Sequence, residues 1–129
     1  MGEADDMEFI YSLIGYPNET EWIEFKEGTS DPERIGRDIS ALANVAAYLG
    51  RPRAYKIWGV EDDTHALVGT QFDPYHAKGK GNQDLQIWLR LFLSLRASYE
   101  FRCIERNGLR FVVLEIDAAV GQPVCFDKA

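Results

Sequence analysis

The sequence predicts an α/β chain of the α+β kind: a single mixed sheet packed by about three helices, in the order helix, strand, helix, hairpin, helix, hairpin. Three observations carry this expectation. Apolar residues recur at helical spacing in three separate stretches, alternating or compact apolar runs of strand length lie between and after them, and Asn107-Gly108 is the favoured two-residue hairpin turn. At 129 residues the chain has the usual size of one domain and can bury a real core.

Residues 4–14 place Met7, Ile10, Leu13 and Ile14 at helical spacing, and the pattern stops at Gly15 and Pro17. Strand character begins near Glu21, where Ile23 and Phe25 alternate with Trp22, Glu24 and Lys26. Ser30-Asp31-Pro32-Glu33 is a helix start. Either Ser30 and Glu33 form a capping box or Asp31 caps a helix with Pro32 in its first turn. Ile35, Ile39, Leu42, Ala46 and Leu49 then form its apolar stripe, with Arg37, Ala41, Asn44 and Tyr48 on the other side and Gly50 and Pro52 ending it.

Residues 54–60 read as a strand, followed by the acidic corner Glu61-Asp62-Asp63 and a short return strand over residues 66–69, so this unit is expected to be a hairpin. A loop ending Lys78-Gly79-Lys80-Gly81 leads to Asn82, a candidate cap for a helix with Leu85, Trp88, Leu89, Phe92 and Leu93 on one stripe. Pairing outward from Asn107-Gly108 sets Glu105 against Arg110, Cys103 against Val112, Phe101 against Leu114 and Tyr99 against Ile116. The stretch from Gly121 to Phe126 opens like a further strand, so the chain is expected to continue into a longer protein with another C-terminal domain.

Composition narrows the function classes. No apolar run approaches the roughly 20 residues that span a bilayer, which argues against a membrane role. Cys103 and Cys125 lie in apolar surroundings without zinc-type spacing, as expected of reduced core thiols in a cytoplasmic protein. The net charge of −7 is unevenly spread: residues 1–33 hold ten acids and one base, and residues 34–129 hold eleven acids and thirteen bases. An acidic N-terminal third beside a mildly basic remainder is compatible with cation-dependent phosphate chemistry, although such acidic stretches are more commonly solvated leaders. There is no P-loop motif and no local signature of a serine or cysteine nucleophile, and His65 and His76 lack partners at metal-ligand spacing.

Four motifs stand in order along the chain: Glu19-x4-Glu24-Phe25-Lys26, Ile39-Ser40-Ala41-Leu42-Ala43-Asn44, Trp58-Gly59-Val60-Glu61-Asp62-Asp63 and Val68-Gly69. Together they resemble the Schlafen AlbA-2 domain over about residues 17–118. The resemblance implies an Alba-like, Schlafen-core-like fold and a nucleic-acid-binding domain of a bacterial transcriptional regulator, with DNA or RNA as partner. Its animal branch implies an alternative, a divalent-metal-dependent endoribonuclease acting on structured RNA. In that case Glu19, Glu24 and Asp62 would hold Mg2+ or Mn2+, with Glu61 and Asp63 as register alternatives to Asp62, and Lys26 would support the scissile phosphate. Where the family has a glycine pair after this helix, the chain has Leu49-Gly50-Arg51-Pro52-Arg53.

Geometry constrains the metal reading. Glu19 and Glu24 are five residues apart and would face opposite ways on one straight strand, so convergence requires a bend after Pro17-Asn18. Asn44 either bonds backbone as a structural residue or orients Glu24. Arg51, Arg53, Lys78 and Lys80 are the candidate phosphate-backbone contacts. A third reading, a protein-interaction or assembly module that includes homo-oligomers, fits the acidic balance.

Overall fold

The structure, a computed structural model, describes residues 3–15 and 20–127, with the side chains of 3–6 excepted. The elements follow the expected order: α1 (Glu3–Ile14), β1 (Ile23–Lys26), α2 (Pro32–Leu49), β2 (Arg53–Trp58), α3 (Leu85–Phe92), β3 (Tyr99–Arg106) and β4 (Leu109–Asp117). The strands form one mixed sheet in the order β1-β2-β4-β3. β1 runs parallel to β2, and β4 is antiparallel to both β2 and β3. The parallel pair is connected through α2, the crossover that such a pair needs.

α2 begins where the sequence requires. Asp31 is the N-cap, accepting from the Glu33 amide at 3.1 Å, and Pro32 follows in the first turn, where its missing N–H costs nothing. Gly50 closes the helix in the left-handed conformation, φ 71°. Ile35, Ile39, Leu42 and Ala46 are buried as the stripe predicts, whereas Leu49, the last residue of the helix, is exposed. Each fully buried Ile or Leu of this kind contributes about 1.5–3 kcal/mol.

The β3–β4 hairpin has the predicted register, with Glu105 opposite Arg110, Cys103 opposite Val112, Phe101 opposite Leu114 and Tyr99 opposite Ile116. Asn107 and Gly108 both take positive φ, 53° and 79°, which is the turn that matches strand twist.

Three local expectations are corrected. The hairpin expected over 54–69 is reduced to one isolated bridge, Val60 to Leu67, because β2 takes its pairing from β1 and β4 instead. The cap of α3 is Asp84, which accepts from the Gln86 and Ile87 amides, while Asn82 sits two residues earlier at φ 67° in a short 3-10 turn. Cys125 is exposed and not a core thiol; the alternation around it turns Val124 and Phe126 inward.

Both faces of the sheet are covered. α2 lies over the face bearing Lys56, Trp58 and Leu114, and α1 lies over the other, where Phe9 meets Tyr55 edge-on with ring centroids 5.2 Å apart. The C-terminal segment crosses α2. Asn44 accepts from the Val124 amide at 2.8 Å and donates to its carbonyl at 2.9 Å, and the Phe126 ring fills the space left by Gly36. The segment then pairs with the end of α3 through Ser94 and Phe92. Asn44 therefore has the structural role of the two considered, although its target is this segment and not a sheet strand.

Candidate nucleic-acid interface

The parallel register places Glu24 beside Lys56, side chains on the same face of the sheet. α2 is laid over that face, and its Asp38 occupies the buried stripe between Ile35 and Ile39. Lys56 Nζ donates to Glu24 Oε2 at 2.9 Å and to Asp38 Oδ2 at 2.5 Å. Lys56 is 2% exposed and Asp38 8%. Arg34, one helical turn before Asp38, closes the group from outside: Nε is 3.0 Å from Asp38 and Nη2 3.6 Å from Glu24. A buried charge is tolerated only when it is paired and hydrogen-bonded, and this network meets that condition.

The two carboxylates respond differently. Burial pushes Glu24 up, but the hydrogen bond and charge of Lys56, joined by Asp38 and Arg34, outweigh it and hold the group below its ordinary range. For Asp38 burial, reinforced by the Glu24 charge, outweighs Lys56 and Arg34 and holds it above. Two acids share one buried ammonium, and the deeper one ionises less readily.

Beside this network is a cavity of about 480 Å3 lined by Glu24, Lys26, Thr29, Ser30, Asp31, Arg34, Arg37 and Lys56, with Phe25. Trp58 Nε1 donates to Ser30 Oγ at 3.1 Å and anchors the turn that forms one wall. The rim carries both signs: Asp31 is half exposed, and Arg37 pairs with Glu33 at 3.5 Å. Lys26 is exposed, and the side chains of Arg34 and Arg37 are 63% and 67% exposed. Lys80 reaches the same end of α2, bonding Asp31 at 2.9 Å, a contact that holds Asp31 below its ordinary range.

The other candidates are dispersed. Arg51 and Arg53 follow the C-terminal end of α2, whereas Lys80 meets its N-cap, and an 18-residue helix is about 27 Å long. The four basic candidates thus form two pairs and not one patch. Arg53 pairs with Asp117 at 3.0 Å, and Lys78 is exposed. Asp62 is exposed in its turn. Three residues on, the His65 ring packs against Phe25, centroids 4.5 Å apart, on the face of β1 opposite Glu24.

Glu19, and with it the bend after Pro17, lies outside the described residues. Among the described residues no group of three His, Cys, Asp or Glu could hold a metal ion, and Glu24 is engaged by the Lys56 ammonium at 2.9 Å. Of the three expected ligands, Glu24 and Asp62 are described, and Glu24 already has the Lys56 ammonium as its partner. Lys56 and Asp38 are the site residues that sequence reasoning missed. The available signals were a lysine inside an apolar strand and an acid on the apolar stripe of a helix.

A mixed four-stranded sheet with a charged cavity between an edge strand and the start of its crossover helix defines a small α+β domain. More particularly, the family model described as "Schlafen, AlbA_2" matches residues 19–129, and the chain belongs to that family. No curated protein matches it. The crystal structure of the DIP2311 protein from Corynebacterium diphtheriae is similar in fold, with TM-score 0.56 and 18% identity over 96% of this chain. The chain spans 28% of that protein's length.

Proposed function

We propose that this domain binds nucleic acid through its phosphate backbone, at the cavity rimmed by Lys26, Arg34 and Arg37, as the DNA- or RNA-binding part of a bacterial cytoplasmic transcriptional regulator. The supporting observation is the grouping of exposed cations along one edge of an otherwise acidic protein, in a family compatible with nucleic-acid binding. Phosphate contacts of this kind position a strand without reading its sequence. No described helix is long and apolar enough to cross a membrane.

Fluorescence anisotropy with a labelled oligonucleotide at low salt tests the reading. The double variant Lys26→Ala/Arg37→Ala should lower affinity roughly ten-fold and reduce the salt slope by about two. No retention of either DNA or RNA by the wild type at low salt would remove this reading and leave the assembly-module alternative.

The second reading, a Mg2+- or Mn2+-dependent ribonuclease using Glu19, Glu24 and Asp62 with Lys26, is favoured by one observation: Glu24 and Lys26 line the same cavity. Incubation with transfer RNA and Mn2+ decides it. Equal cleavage, or equal lack of it, by wild type and Glu24→Ala removes the ribonuclease.

A further inference from the structure

A second cavity, of about 410 Å3, lies at the other end of the β1 segment, walled by Phe9, Ser12, Leu13, Trp22, Arg51 and Tyr55 with Gly15. Its chemistry differs from that of the first. Phe9 and Trp22 each meet Tyr55 edge-on, at centroid separations of 5.2 and 6.2 Å. The Arg51 guanidinium carbon lies 3.4 Å from the centroid of the Trp22 ring, close enough only for stacked planes. Arg51 Nε is buried without a hydrogen-bond partner. By contrast, Arg53 and Lys80 are each paired to an aspartate.

A cationic plane held flat by an indole and flanked by two further rings suits a planar, electron-rich ligand that stacks. A nucleobase is a ligand of that kind. We propose that this cavity takes one unstacked base of a single-stranded nucleic acid, stacked on the Arg51 guanidinium. The proposal rests on the nucleic-acid reading above and narrows it to single strands. β1 is an edge strand of the sheet, and the four-residue rise from Trp22 to Lys26 is about 13 Å, so a short strand following this edge can seat a base at Arg51 and phosphates at Lys26 and Arg37. A paired duplex cannot enter without extruding a base.

The test is a binding comparison with a ten-nucleotide single strand, the same strand with abasic positions scanned along it, its duplex, and a nucleoside monophosphate. The wild type should bind the intact single strand roughly ten-fold more tightly than the best-placed abasic strand and than the duplex. Arg51→Lys, which keeps the charge and loses the plane, should bind the intact strand no more tightly than the abasic one, while binding the abasic strand as the wild type does. Binding of every abasic strand and of the duplex as tightly as the intact strand would overturn the base site while leaving the phosphate reading standing. Loss of all oligonucleotide binding would overturn both, and a monophosphate binding as tightly as the strand would place a free nucleotide in the cavity and overturn the strand assignment.

Discussion

Lys56 Nζ lies 2.9 Å from Glu24 Oε2 across the parallel β1–β2 pair, and the lysine is 2% exposed. The glutamate that the family resemblance marks for metal binding thus faces a built-in cation, which Asp38 shares from the other side. The consequence is structural as well as chemical, because this network joins α2 to the edge of the sheet.

Replacing Lys56 by Met keeps the stem and removes the charge, leaving Asp38 and Glu24 with Arg34 as their shared cation. Breaking a buried pair costs about 3–5 kcal/mol, and partial exposure of Glu24 reduces this to about 2–4 kcal/mol. Urea denaturation of Lys56→Met against wild type measures it.

The opposed shifts of the two acids give a signed pH dependence. Glu24 is lowered from its ordinary 4.5, so its contribution is present above that pH and is lost as pH falls through the folded value. Asp38 is raised from 3.8, so its contribution is fully present below 3.8 and is lost as pH rises through the folded value. Urea midpoints between about pH 3 and 7 should therefore show a shallower acid limb in Glu24→Gln and a steeper one in Asp38→Asn.

Asn44→Ala removes both hydrogen bonds that fasten Val124 and leaves the buried end of that segment unsatisfied. The expected loss is about 2 kcal/mol in global stability. Hydrogen exchange should show faster exchange of the Val124 amide, with the β3–β4 amides least affected.

Gly36→Ala puts a methyl group within 2.3 Å of the Phe126 ring, so the ring must leave. Melting temperatures of Gly36→Ala, Phe126→Ala and the double variant form a cycle. The double variant should be markedly less destabilised than the sum of the two single changes, because the clash disappears with the ring.

How much of this was legible depended on range in sequence. The β3–β4 register followed from Asn107-Gly108 and alternation, and the start of α2 from Asp31-Pro32; both are local signals. The partners of β2 were not legible. Its apolar run is the same whether it pairs with a following strand or lies between β1 and β4, and pairing to non-adjacent segments has no local signature. The same reason hid the Lys56–Glu24–Asp38 network, which joins positions 56, 24 and 38 only through that topology. Phe126 likewise closes on Gly36 from the far end of the chain, a contact that the strand-like composition of 121–126 could not announce.

The proposed meeting place of nucleic acid and chain is the cavity between β1 and the start of α2. Amide chemical-shift mapping during titration with a single-stranded oligonucleotide tests it directly. The largest changes should fall on Lys26, Ser30, Arg34 and Arg37. Changes confined to α3 and the outer edge of β3, or no changes at low salt, would contradict it.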